Sequence, residues 1–361
     1  MVAAFVVIST NQRSLTTPHH SSYYNEKGDG RRRSKFLSLS TSAENSNNPF
    51  GKLPIKEGKI PVTRTTINNE DDGTTTTTTN TYELGYTLVR PMSVSSRKSA
   101  PLVVLHGGPS VPSNYLYPLA NYIRYRSILF YDQLGCGTIS DEPTNVDCYS
   151  IGQAINDLEV ILKKLSITRF HLYGQSFGGI LAYEYLKKKY NQKEGDTDDD
   201  NDSGCLSVVL SSTPTSVKQV EDEAQRLIDA LDSPDLFRET HQCRTKEMPQ
   251  PLIDAYAAAG TVWRGTKAIS NYTATAATAD VNEEEEMPST SRRRMPSAMI
   301  LRGEYDFVTE VCCEGWKSLF QKYGNSRSVR YKTLSGCSHH GLLENGLLYG
   351  ETLDSFFTEY D

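Results

Sequence analysis

The stretch HLYGQSFGGILAYEYL, residues 171–186, sets an apolar run against a helical one, with Ser176 at the junction between Gly174 and Gly178. Small residues on both sides of a serine suit a very tight strand-to-helix turn, because the chain doubles back with no room for a Cβ. In such a turn the serine stands above the sheet edge, and the leaving helix offers its N-terminal amides to negative charge. A plain glycine-rich turn with a structural serine would carry the same letters, so the flanking sequence has to decide.

Around this stretch, apolar runs alternate with helical periods. PLVVLHGG (101–108), RSILFYDQ (126–133) and CLSVVLSS (205–212) are buried-strand candidates. SIGQAINDLEVILKKLSI (150–167) places Ile151, Ile155, Leu158, Ile161, Leu162 and Leu165 at helical spacing, with Ser150 as its cap. The alternation predicts an α/β fold with a mostly parallel central sheet and helices on both faces. Ahead of it, GKIPVTRTTI (58–67) and TYELGYTLV (81–89) read as a hairpin whose long loop is NNEDDGTTTTTTN (68–80).

After Thr213 the alternation stops. VEDEAQRLIDALD (220–232) and PQPLIDAYAAAG (249–260) read as helices, followed by a charged loop with EEEE (283–286) and RRR (292–294). This is a helical cap inserted after the sixth strand. SAMILRGEYDFV (297–308), helix EVCCEGWKSLFQKY (310–323), strand SVRYKTLSGCS (328–338) and a last helix containing LLYGETLDSFF (347–357) restore the pattern. The expected organisation is a disordered or targeting leader over 1–50, a first core part over 51–213, the cap over 214–296 and a second core part over 297–361.

Composition narrows the function classes. Among the 361 residues 37% are hydrophobic, and the deficit sits in the polar inserts. A net charge of -6 leaves no electrostatic footprint for a nucleic-acid backbone, and the arginine runs 31–33 and 292–294 read as solvated charge. No window approaches the roughly 18 apolar residues of a membrane span. Seven cysteines without metal-like spacing point to free thiols in a reducing compartment, and cytoplasmic is the default location. The leader MVAAFVVIST lacks a positive region before its apolar run, which argues against a secretory signal and leaves organelle targeting open.

A serine hydroxyl becomes a nucleophile when a base takes its proton, and that base needs a carboxylate to hold its tautomer. Asp306 follows one buried strand and His339 and His340 follow the next, which gives the order serine, acid, histidine at one sheet edge. Asp132 competes as the acid but precedes the serine and is read as a brace for nearby turns. Of the histidines His339 is favoured, because His340 falls at the start of the next helix, where a solvated or N-terminal role is the simpler reading. The oxyanion donors expected are backbone amides: one from the HGGPS loop (106–110) and one from Phe177, with His106 holding that loop. No metal or cofactor is required by this chemistry.

Together HGGPS (106–110), YDQLGCG (131–137), GQSFGG (174–179), GEYDFVT (303–309) and CSHHGLLE (337–344) resemble the proline iminopeptidases, α/β-hydrolases that release N-terminal residues, proline above all, from peptides. The resemblance runs from about Gly51 to Asp361 and includes FRETHQCR (237–244) and AGTVWRGT (259–266) in the cap. It implies an α/β-hydrolase fold, a short peptide substrate, Ser176, Asp306 and His339 as the triad, and Gly108 and Phe177 as amide donors. The chain departs at Ser110, where relatives carry glycine, and at Phe307, where some carry an acid that binds the substrate amine. A buried ammonium needs a carboxylate partner, so the acid has to come from the cap, where Glu221, Glu223, Glu239 and Glu247 are the candidates. The rival readings are an esterase, amidase or acyltransferase acting on an uncharged substrate, and a hydrolase-fold binding protein without turnover.

Overall fold

The computed structural model describes residues 49–69, 75–91, 99–191, 204–263, 267–276, 295–321 and 328–361. The expected leader lies outside the described residues up to Asn48, as do residues 192–203 of the acidic stretch NQKEGDTDDDNDSG (191–204) and the EEEE and RRR loop.

Eight strands form one sheet in the order β1-β2-β4-β3-β5-β6-β7-β8. They are β1 (Ile55–Asn69), β2 (Thr75–Val89), β3 (Leu102–Leu105), β4 (Ile128–Tyr131), β5 (Arg169–Gln175), β6 (Gly204–Ser211), β7 (Ser297–Gly303) and β8 (Val329–Leu334). β1 and β2 pair antiparallel and β2 meets β4 antiparallel, whereas every pairing from β4 to β8 is parallel. The longer helices are α1 (Ile151–Lys164), α2 (Phe177–Asn191), α3 (Val217–Asp229), α4 (Gln250–Ala257), α5 (Gly315–Gln321) and α6 (Gly346–Glu359). Ser150 caps α1 by accepting from the Gln153 amide at 3.1 Å, as its position predicts.

Strand alternation divides the core in two. Val103, Leu105, Leu129, Leu172, Val208, Leu210 and Ile300 point into a cluster shared with α1, α2 and Trp316 of α5. Their neighbours Leu102, Val104, Ile128, Phe130, Tyr173, Val209 and Leu301 point to the other face, against Leu353, Phe356 and Phe357 of α6. Both faces of the parallel strands are therefore covered, which is why these strands read as unbroken apolar runs.

The hairpin differs from its sequence expectation. The threonines from Thr75 to Thr79 are strand, paired with Thr65 to Asn69 of β1, so the ribbon extends well past the part that touches the core. Threonine is β-branched and favours extended backbone even where it packs on nothing, a local preference that a low-complexity reading overlooks. The predicted helix 310–323 is also interrupted, with one turn at Glu310–Cys313 and α5 beginning at Gly315.

The cap helices α3 and α4 fall between β6 and β7. Their segment is stitched to the core by backbone bonds: Gly260 N to Ser110 O at 2.9 Å, Gly137 N to Ala258 O at 3.1 Å, and His340 N to Gln242 O at 3.0 Å.

Candidate active site

Because β3, β5, β7 and β8 run parallel, the chain leaves all four at the same sheet edge, and the loops that follow them carry Gly108, Ser176, Asp306 and His339. The turn after β5 is as tight as its glycines predict. Ser176 sits in the left-handed region at φ 53°, a conformation that costs a non-glycine residue about 1–3 kcal/mol and that surrounding bonds must hold. They do so here: the Ser176 amide donates to Ser211 O at 2.8 Å and the Gly179 amide to Ser176 O at 3.0 Å. A Cβ at Gly178 would fall on the Leu105 carbonyl of β3, so only glycine lets α2 approach the sheet this closely.

His339 Nδ1 lies 2.9 Å from Asp306 Oδ1, and both residues are buried. The same carboxylate oxygen accepts from the Val308 amide at 2.9 Å, which orients it toward the ring. An ionised carboxylate accepts only, so the imidazole carries its proton on Nδ1 and presents Nε2 as a lone pair. That lone pair accepts from Gln175 Nε2 at 3.1 Å, and Gln175 Oε1 in turn accepts from Tyr115 OH at 2.7 Å. Tyr115 OH accepts from the Gly107 amide at 2.9 Å, so the histidine, the serine turn and the glycine loop belong to one hydrogen-bonded chain. Ser176 and His339 line a common cavity of about 50 Å³, and Gly108, Phe177 and Gln175 line it too.

Phe307 stacks on the His339 ring with centroids 4.1 Å apart and planes 27° apart, and packs against Phe237 of the cap at 5.8 Å. Val220, Glu221 and Ala224 of α3 line the cavity with Ile180 and Val308, and Ala224 packs with Phe237 and Phe307. Tyr115, Gln242, Tyr256 and His340 line it as well.

Of the four cap acids, Glu221 alone lines the cavity among the described residues. Glu223 is held by Arg226 and Thr309, Glu239 is exposed beside Arg238, and Glu247 is exposed. Asp132 takes no part in the histidine pairing: its Oδ1 accepts from the Ser113 amide at 2.7 Å, beyond the HGGPS loop. Burial pushes its carboxyl up to about 6, against the pull of its bonds to Ser113. His106 is a loop brace as expected, its Nε2 accepting from the Gln133 amide at 2.9 Å, and burial brings it down to about 4, so it stays neutral. His340 departs from expectation. It does precede a short helix, Gly341–Glu344, but it is only 7% exposed and is hydrogen-bonded into the cap rather than solvated.

Sequence reasoning missed Gln175, Tyr115, Gln242 and Tyr256, since a glutamine or tyrosine carries no positional signal until the loops converge. Phe307 was noticed only as a missing acid. Among the described residues there is no cluster of histidine, cysteine and acid side chains fit to hold a metal, and no helix long and apolar enough to cross a membrane.

Comparison with known proteins agrees with this fold. A family profile described as alpha/beta hydrolase fold matches residues 100–345. A proline iminopeptidase of Saccharolobus solfataricus is 29% identical over 72% of this chain and 84% of its own length. One of Lactobacillus delbrueckii subsp. bulgaricus is 26% identical over 73% of this chain and 91% of its own. The crystal structure of the proline iminopeptidase of Mycobacterium smegmatis superposes with a TM-score of 0.62 at 21% identity, covering 83% of this chain and 98% of that one, a likeness of fold.

Proposed function

This chain belongs to the α/β-hydrolase family, and from that premise we propose that it is a serine aminopeptidase that releases N-terminal proline or another small residue from short peptides. The observation that carries the reading is the Asp306–His339 pair at 2.9 Å, which leaves Nε2 as a lone pair at the wall of the cavity that Ser176 also lines.

In this reaction Ser176 Oγ attacks the first peptide carbonyl while its proton passes to His339 Nε2, the position Gln175 Nε2 now occupies. Asp306 stabilises the imidazolium that forms. The carbonyl oxygen gains negative charge, and the backbone amides of Gly108 and Phe177 are assigned as its donors. His339 then gives its proton to the departing nitrogen, an acyl-enzyme remains, and water returns the free amino acid by the reverse sequence. Glu221 is assigned as the partner of the substrate ammonium, since an ammonium buried without a carboxylate is too costly to bind.

Arylamides of proline, alanine and acetyl-proline test the reading. Turnover of free prolyl arylamide and rejection of the acetylated one is expected, with kcat falling at least about a thousandfold in Ser176→Ala. Glu221→Gln is expected to narrow the preference for the free amine by at least about tenfold. Equal turnover of the acetylated compound would support instead an esterase or amidase on an uncharged substrate, a reading that the apolar wall of Val220, Ala224, Phe307 and Val308 also suits. No labelling of Ser176 by a fluorophosphonate would leave a binding protein.

A further inference from the structure

Gln175 is the last residue of β5 and the neighbour of Ser176, and its side chain ends on the one atom that the reaction needs free. His339 Nδ1 donates to Asp306, so the ring presents a lone pair at Nε2, and a side-chain amide can meet a lone pair only with its NH2 group. That fixes the amide: Gln175 Nε2 donates to His339 Nε2 at 3.1 Å, and Oε1 faces Tyr115 OH at 2.7 Å. Oε1 only accepts, so the phenol donates to it, while the phenol oxygen accepts from the Gly107 amide at 2.9 Å. The oxygen end of the side chain is thus tied to the glycine loop. A Cβ at Gly107 would stand 2.5 Å from Oε1, so the amide keeps this place only because residue 107 has no side chain.

An imidazole nitrogen that accepts does so through a single lone pair in the ring plane. While Gln175 occupies it, Ser176 Oγ has no base to receive its proton. The hydrogen bonds of the His339 ring go to Asp306 and Gln175, and none goes to Ser176 among the described residues. The ring is held in place, by Asp306 at Nδ1 and by Phe307 stacked on its face with centroids 4.1 Å apart, so it is the amide that has to give way. A second acceptor lies within its reach: His339 O is 3.5 Å from Gln175 Nε2, and the NH2 group keeps a partner when it turns off the ring. We propose that Gln175 is a positioning residue that latches the base. In the ligand-free protein it holds His339 Nε2 away from Ser176, and an acyl group entering the cavity, which Gln175 lines, turns the amide aside before the serine is deprotonated. This rests on the reading of the chain as a serine hydrolase, whichever acyl group it takes.

The test is the second-order rate constant for labelling of Ser176 by a fluorophosphonate, a reaction that joins phosphorus to Oγ, releases fluoride and sends the serine proton to His339. Read from a time course, the constant does not depend on how much of a preparation is folded. Gln175→Leu keeps the bulk and leaves Nε2 free, and labelling is expected to quicken about two- to tenfold, the range that one neutral hydrogen bond spans. Gln175→Glu keeps the shape and an acceptor for Tyr115, but a carboxylate accepts where the amide donates and so favours a proton on Nε2. Labelling of this variant is expected to slow by at least about tenfold. A residue that only braced the glycine loop would give the reverse order, with Gln175→Glu close to wild type and Gln175→Leu slower. Should Gln175→Leu fail to fold, Gln175→Met, unbranched like glutamine, takes its place. Labelling no faster than wild type in Gln175→Leu, or in Gln175→Met where that variant stands in, or no slower in Gln175→Glu, would overturn the latch alone. Failure of both the wild type and the apolar variant to label would overturn the serine hydrolase reading and the latch with it.

Discussion

Asp132 shows how a single buried carboxylate makes stability depend on pH. Its folded pKa of about 6 lies above its ordinary 3.8, because burial disfavours the charge. Between those values the folded chain holds a proton that the unfolded chain has released, so this residue's contribution to stability falls as pH rises from 4 to 6. At about 1.4 kcal/mol per pKa unit the effect is roughly 3 kcal/mol at full size. Asp132→Asn keeps an acceptor for the Ser113 amide and removes the titration. The variant is therefore expected to gain stability relative to wild type on going from pH 4 to pH 7, as read by denaturant unfolding at each pH. A stability difference that does not change with pH would show that Asp132 titrates in the folded protein as it does in the unfolded chain. His106 works in the opposite sense: held neutral by burial down to about 4, it costs stability as pH falls from 6.5 toward 4. Residues of this kind are legible in a sequence as residue types, not as environments. The structure puts Asp132 behind the glycine loop and Asp306 on the histidine, two aspartates whose sequence contexts are equally plain.

At the level of elements, the ribbon of β1 and β2 is anchored by one buried ion pair. Arg64 of β1 donates to Asp157 of α1 with two nitrogens, at 2.8 and 2.6 Å, and its Nε donates to Cys148 O at 2.8 Å. Removal of one partner strands the other charge in the core, at a cost of about 3–5 kcal/mol. Arg64→Met is therefore expected to lower the free energy of unfolding by that amount. A loss below about 1 kcal/mol would mean that water reaches Asp157 and the pair acts as a surface bridge. Neither partner stands out in the sequence: Arg64 sits in a threonine-rich strand and Asp157 in the middle of an amphipathic helix that reads well without it. The helix itself, from its cap at Ser150 to its apolar stripe, was legible because both signals are local. The threonine strand of β2 was not, because low complexity was read as loop while the pairing of Thr75 to Asn80 with β1 follows from backbone preference and register.

For the molecule as a whole, the cap is bonded to the loops that carry the candidate site and supplies part of the cavity wall. Gln242 and Tyr256 come from the cap, His339 N donates to His241 O at 3.3 Å, and the cap's Trp263 packs edge-on against Phe177 at 5.1 Å. Trp316 belongs to α5 and packs in the core, its Nε1 donating to Thr213 O at 2.8 Å. These are the two tryptophans of the chain, and both are buried. With so many bonds between cap and core, unfolding is expected to be a single transition. In Trp263→Phe and Trp316→Phe, the midpoint followed by the remaining tryptophan should coincide with that followed by far-ultraviolet circular dichroism. A cap that melts first would separate the two midpoints in Trp316→Phe, where Trp263 is the reporter.

By itself the sequence determined the alternation of strand and helix, the serine turn and the order of serine, acid and histidine. These rest on local periodicity and on glycines that only a tight turn requires, and both survive without knowledge of what packs where. It also offered four acids as candidates for a carboxylate at the site. That Glu221 alone of these four lines the cavity among the described residues, that His340 is buried and that Phe307 stacks on His339 were decided by tertiary structure. Each depends on loops from distant parts of the chain meeting at one sheet edge, where burial sets protonation and only proximity gives a side chain its partner.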